Sequence, residues 1–235
     1  MRRFGLGAML LSMALSAQAS AATLLFDFGP ESQMAPGNYN HILVDPASLV
    51  VADAIDSTGA STGIGLTASG FYAGANFSGT TSPSGDAAIF DAEATRDNAF
   101  GHDDAFGTNP LTPLATLALT GLDGSGATAY SFTFFGSRLG ATDNRETMYN
   151  VLGANSGFGL LDTTANVDKV AVVSGIIPTA AGELTIEVSP GPNNDNGSGF
   201  YYIGAMSIES GAVPEPTAAA LAALAGMALT RRRRS

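Results

Sequence analysis

Apolar and polar positions alternate along this chain in short runs of period two. In AYSFTFFG (129–136), Tyr130, Phe132 and Phe134 fall on one side and Ser131, Thr133 and Phe135 on the other. In ELTIEV (183–188), Leu184, Ile186 and Val188 oppose Thr185 and Glu187, and GIGLTA (63–68) alternates at Ile64, Leu66 and Ala68. LLFDF (24–28), LATLAL (114–119), RETMYNVLG (145–153), KVAVVSGI (169–176) and YYIGAMSIE (201–209) complete the set, with Gly, Pro, Asn and Asp between the runs. Such runs predict half-buried antiparallel strands. Many of them at short spacing predict an all-β sandwich or barrel. No stretch of the body carries a helical period, and no internal repeat is visible. Residues 69–110, rich in Gly, Ser, Asp and Asn, read as long connections at one rim, where binding residues tend to sit.

Charge changes the picture. The chain has 10 Lys+Arg against 21 Asp+Glu. Six of the bases are Arg2, Arg3 and Arg231 to Arg234, at the two ends. The body keeps four bases (Arg96, Arg138, Arg145 and Lys169) against twenty acids. So acidic a surface repels nucleic acid and anionic lipid, and it suits neutral ligands or cations. With Asp frequent and Lys nearly absent, calcium is the cofactor that composition suggests. There is no Cys, which excludes thiolate catalysis and Cys-ligated zinc, and no Trp. A body of this length can bury a sufficient core without disulfides.

Both ends differ from the body. MRRF, the apolar run GLGAMLLSMALSA and the small residues AQASAA form a charged start, a short apolar core and an A-x-A-like exit. That pattern predicts a secretory signal peptide over 1–22, cut by signal peptidase so that the mature chain begins between Ser20 and Thr23. At the other end, Val213-Pro214-Glu215-Pro216 precedes the uncharged run 217–230 and then Arg231, Arg232, Arg233 and Arg234. Fourteen helical residues span roughly 21 Å, short of the ~30 Å hydrocarbon core. Terminal arginines obey the positive-inside rule and snorkel, so this run predicts a transient membrane anchor. The prolines keep the preceding segment extended and accessible. This end closely resembles the PEP-CTERM sorting signal of Gram-negative bacteria. The resemblance implies recognition of Pro214, Glu215 and Pro216 by an exosortase, removal of the tail, and release to the cell surface or extracellular matrix.

YSFTFFGSRLGATDNRETMYNVLG, with LLFDFGP near the start and YYIGAMSIE near the end, resembles exported β-sandwich domains of the galactose-binding-like, carbohydrate-module class. That resemblance implies a jelly-roll-like antiparallel β-sandwich closed by pairing of its first and last strands, often with a structural calcium. Many such domains bind sugars.

Ser137, Arg138, Asn144 and Arg145 bracket the loop between two strong strands. Fork-shaped donors beside an amide suit sugar hydroxyls or a uronic carboxylate. Alternatively, each Arg pairs with an acid such as Asp143 or Glu146 and holds a hairpin. Aromatic faces for sugar stacking are limited to Tyr39, Phe71, Tyr72, Tyr149, Tyr201 and Tyr202, of which Tyr149 lies nearest the arginines in sequence. Asp27, Glu31 and the His102-Asp103-Asp104 run offer hard oxygen ligands for metal. PNNDNGSG (192–199) has a calcium-loop composition without EF-hand spacing and reads as a hairpin turn. With two His, no G-x-S-x-G and no H-E-x-x-H, catalysis has little support.

The sequence thus describes a signal peptide (1–22), a β-sandwich (23–211) and a sorting tail (212–235). The leading function is an exported, non-enzymatic surface or matrix protein associated with exopolysaccharide. A lectin-like module with a defined sugar site is the alternative, and a polysaccharide hydrolase the third reading. Processing at both ends predicts that the protein recovered from its native host has the mass of a chain starting between Ser20 and Thr23 and ending near Pro214–Pro216. Intact-mass measurement with cell fractionation checks this; an intact arginine tail in the membrane fraction contradicts it.

Overall fold

The alternating runs become the facing inner surfaces of two six-stranded sheets. The computed structural model describes residues 23–213, so the signal peptide over 1–22 and the tail bearing Pro214, Glu215, Pro216 and Arg231 to Arg234 lie outside the described residues. The first sheet contains β1 (Leu24–Pro30), β2 (Tyr39–Asp45), β3 (Ala47–Ser48), β8 (Thr128–Phe135), β11 (Ala171–Ile176) and β14 (Ala205–Ala212). The second contains β4 (Val50–Val51), β5 (Gly65–Ser69), β7 (Ala115–Thr120), β9 (Glu146–Leu152), β10 (Ser156–Asp162) and β12 (Leu184–Pro190). Their spatial orders are β11-β8-β14-β1-β2-β3 and β10-β9-β12-β7-β5-β4, and β6 (Ala99–Gly101) pairs separately with β13 (Tyr201–Ile203). The fold is all-β, a jelly-roll-like sandwich in which β1 pairs antiparallel with β14, first strand to last. One pair, β1 with β2, runs parallel.

The core lies between the sheets. Phe26, Phe28, Phe132 and Phe134 of the first meet Leu117, Leu119, Tyr149, Val151 and Ile186 of the second. Each fully buried Phe or Leu contributes about 1.5–3 kcal/mol relative to exposure. The Phe134 and Tyr149 rings stack with centroids 4.5 Å apart and planes 3° from parallel. Tyr149 satisfies its hydroxyl by donating to the Tyr202 carbonyl at 2.7 Å, as a buried phenol must. A smaller cluster covers the outer face of the first sheet: Ala87, Phe90 and Ala94 pack on Tyr39, Phe135 and Ala205. Its covering residues come from a 3-10 turn (Gly85–Ile89) and a short helix, α1 (Ala92–Thr95), so 69–110 is more structured than its composition suggests. Among the described residues no helix is long and apolar enough to cross a membrane.

Besides the short strands β3, β4 and β6, two seven-residue strands, β2 and β10, escape the alternating pattern. In β2, Asn40 is buried because its side chain donates to the carbonyls of Leu25 and Ile55 and accepts from the Ile55 N–H; a satisfied polar group in a core-like position breaks the alternation. In β10 the inward positions include Gly157 and Gly159. A Cβ on Gly159 would press on Ala171 and Val173 of β11, so the edges of the two sheets close there only over a bare backbone. YYIGAMSIE divides into β13 and β14, which pair with different partners.

Candidate functional site

The outer face of the second sheet carries a groove of about 590 Å³ at its β9–β10 edge. Alternation turns Tyr149 and Val151 inward and leaves Met148 of β9, with Phe158 and Leu160 of β10, as an apolar floor. Phe158 is 64% exposed. The opposite wall is polar: Asn194 and Asn196 from the β12–β13 connection, with Asp103 and Asp104 beside them. No Lys or Arg lines the groove.

The polar wall is held by short side chains. Glu146 accepts from the Asn193 N–H at 2.9 Å, and its carbonyl accepts from the Gly191 N–H at 2.8 Å. Asn194 donates to the carbonyls of Glu146 and Phe200. The Asn196 carbonyl oxygen accepts from the N–H groups of Ser198 and Phe200, and its amide donates to Asp143. Asp195 accepts from the Asn144 N–H at 2.6 Å. Asp104 donates its N–H to the Ser198 carbonyl, and the Ser198 hydroxyl donates to Ala105, which ties 103–105 to this wall. PNNDNGSG is therefore not a hairpin turn. It is a connection between β12 and β13, which belong to different sheets, and much of its amide capacity is spent internally.

The arginines chosen from sequence sit behind this wall. Arg145 Nε donates to Asp143 at 3.0 Å and its Nη1 to the Tyr202 hydroxyl at 2.6 Å. Its guanidinium lies 5.4 Å from the Phe200 ring centre and 6.0 Å from that of Tyr202. Arg138 donates to the Leu139 carbonyl and also flanks the Tyr202 hydroxyl. The two arginines do converge, but on a tyrosine of this chain. The loop they bracket joins β8 to β9 across the two sheets rather than forming a hairpin. Asn144 accepts from the Glu146 N–H and shapes the turn. Tyr149 must be corrected outright: at 0% exposure inside the core it cannot meet a ligand. Tyr201 and Tyr202 are buried as well, whereas Phe71 and Tyr72 line a second pocket of about 330 Å³ at the rim with Asn109 and Pro110. Phe158 was not among the aromatic candidates; its flanking glycines, which mark an outward residue on a glycine-floored edge strand, were the available signal.

Asp27 and Glu31 do not share an environment. Asp27 is 2% exposed, while Glu31 is exposed on the turn after β1. Among the described residues no three His, Asp or Glu side chains group as a metal site.

No protein-family model matches the chain, and no curated protein matches it. Among solved structures it is similar to the CBM35 of Cellvibrio japonicus Abf62, at 14% identity over 50% of this chain and 98% of that one, TM-score 0.28. It is similar to Xyl-CBM35 in complex with a glucuronic-acid-containing disaccharide, at 15% identity over 48% and 84%, TM-score 0.28. It is also similar to TmCBM61 in complex with β-1,4-galactotriose, at 13% identity over 50% and 72%, TM-score 0.25.

Burial pushes the Asp143 carboxyl up, but the Asn196 amide and Arg145 guanidinium outweigh it and hold the group at about 2. A carboxyl lowered on folding adds stability above its unfolded value, near 3.9, and that stability is lost as pH falls through the folded value. Asp143→Asn is therefore expected to flatten the loss of stability between about pH 4 and pH 2. Urea denaturation of both proteins across that window checks this; identical slopes would show that the carboxylate does not hold the wall.

Proposed function

We propose that this chain is an exported, non-catalytic surface or matrix protein that holds a neutral polysaccharide in the groove beside Phe158. The observation that carries the reading is Phe158 itself: a large aromatic face left 64% exposed on the floor of a groove whose opposite wall is amide and carboxylate. An aromatic face covers the apolar side of a sugar ring, and the Asp103 and Asp104 carboxylates can accept hydrogen bonds from its hydroxyls, whereas the Asn194 and Asn196 amides shape the wall. A groove lined by Asp103 and Asp104 and by no base repels uronic acids, which favours neutral polymers. Arg145 makes the pairing with Asp143 that the sequence offers as the alternative to a sugar ligand, and it also meets Tyr202, while Arg138 is engaged by the Leu139 carbonyl.

The reading is non-catalytic because the groove's carboxylates are consecutive residues of one loop. Glycoside hydrolysis uses two carboxyl groups flanking the scissile bond, and the facing wall of Met148, Phe158 and Leu160 carries none. Export, cleavage by signal peptidase, transient anchoring and exosortase processing belong to the same proposal and rest on the two ends of the sequence.

Affinity electrophoresis through neutral and uronic-acid polysaccharides tests the site. Retardation is expected in at least one neutral polymer, with Phe158→Ala weakening it about tenfold, the equivalent of about 1.4 kcal/mol. Phe158 is exposed, so its removal leaves the core intact. Unchanged retardation in Phe158→Ala, or retardation confined to uronic polymers, would overturn the assignment.

A further inference from the structure

Asn196-Gly197 is the sole Asn-Gly pair in the chain. It lies in the connection between β12 and β13, and both residues line the groove. An asparagine loses its side-chain amide most readily before glycine, where no Cβ hinders attack by the following backbone nitrogen. The fold itself does not call for glycine at 197. Its backbone stays out of the left-handed region, it is exposed, and a Cβ there would meet nothing within 4 Å. Gly199 is different: its φ is 59°, and Asp103 packs where its Cβ would stand.

The Asn196 side chain is held at both ends. Its Oδ1 accepts from the Ser198 N–H at 3.1 Å and from the Phe200 N–H at 3.3 Å. The first bond closes the ring that an asparagine forms with the backbone two residues on, and that ring contains both Cγ and the Gly197 nitrogen. Its Nδ2 donates to Asp143, whose other oxygen accepts from Arg145 Nε at 3.0 Å. A hydrogen bond to a carboxylate is about twice as strong as a neutral one. Asp143 therefore latches the amide and keeps electron density on the nitrogen that would have to leave.

We propose that Asn196 is a deamidation site of the folded protein and that the Asp143 carboxylate sets its rate. The Gly197 nitrogen gives its proton to water and bonds to Asn196 Cγ. The Cγ–Nδ2 bond breaks, and that nitrogen takes a proton from water and departs as ammonia. Water then opens the cyclic imide at either carbonyl, leaving aspartate or isoaspartate at 196. Water is consumed and ammonia released in equal number. Either product ends the latch, because a carboxylate at 196 donates nothing to Asp143 and repels it. Isoaspartate also lengthens the main chain by a carbon, where the Gly199 N–H now bonds to the Asn196 carbonyl at 2.8 Å. The polar wall of the groove is then the first part of the molecule to age.

The site is independent of what the groove holds, and its test needs no sugar. The mature chain is incubated at mildly alkaline pH, native and in urea, and peptide mass spectrometry follows amide-to-acid conversion at each asparagine. In the native chain Asn196 is expected to convert before every other asparagine. Asp143→Asn exchanges a charged hydrogen bond for a neutral one and is expected to raise the native rate about fivefold, with no effect in urea. Gly197→Ala, made where space is open, is expected to fold as the wild type does and to slow conversion about tenfold. If Asp143→Asn does not fold, Asp143→Ser, which keeps a short neutral acceptor, replaces it with the same rise expected. Conversion at Asn196 in urea with none in the native chain would overturn the proposal, since the fold would then seal the site. An unchanged native rate in the folded Asp143 variant would overturn the role of Asp143 as the latch.

Discussion

The shortage of positive charge governs this molecule. Twenty acids share the body with four bases, so carboxylates must find neutral donors or stay in water. Among the described residues only three ion pairs form, and one of those uses His41. Elsewhere hydroxyls, amides and backbone N–H groups do the same work. Asp56 accepts from the Thr58 N–H and hydroxyl and from the Ala60 N–H. Asp53 accepts from the Ser61 hydroxyl and the Gly63 N–H. These contacts lower both carboxyls. Ser125 and Thr128 hold Asp123 at about 2. The Ser-, Thr-, Asn- and Gly-rich loops follow from this constraint: short side chains close to the backbone are what a carboxylate can use when lysine and arginine are absent.

The same constraint separates the two faces. Arg145 is spent inside the protein, where it joins Asp143 to Tyr202 and backs the β12–β13 connection. The groove in front is then floored by Phe158 and edged by amides and carboxylates. The neutral glycan we propose for that surface would bring hydroxyls and apolar ring faces but no charge. On the opposite face Asp97 is the exception to neutral capping: it is buried against β1 with no hydrogen-bond donor on either oxygen.

The strand pattern was legible because Phe132, Phe134, Leu184, Ile186 and Val188 alternate without interruption, and the core they form is the one that alternation requires. β2 and β10 were hidden for opposite reasons: Asn40 puts a satisfied polar group where an apolar one is expected, and Gly157 and Gly159 put nothing there. The candidate site was less legible. Two arginines seven residues apart drew attention as rare cations, yet rarity in an acidic chain is also what makes an arginine valuable to its own fold. Tyr149 sits one position from an outward face, and only the register of β9 shows that it points inward. Asp97 could not be read at all, since the space that buries it is left by the missing side chain at Gly29, far away in sequence.

Carboxyl titration by carbon NMR on the chelator-stripped mature protein tests the electrostatic account most directly. The account predicts that Asp123, capped by neutral donors, titrates at about 2 and that Asp97, capped by none, titrates at about 8. Both groups titrating together near the ordinary carboxylate value of about 4 would contradict it.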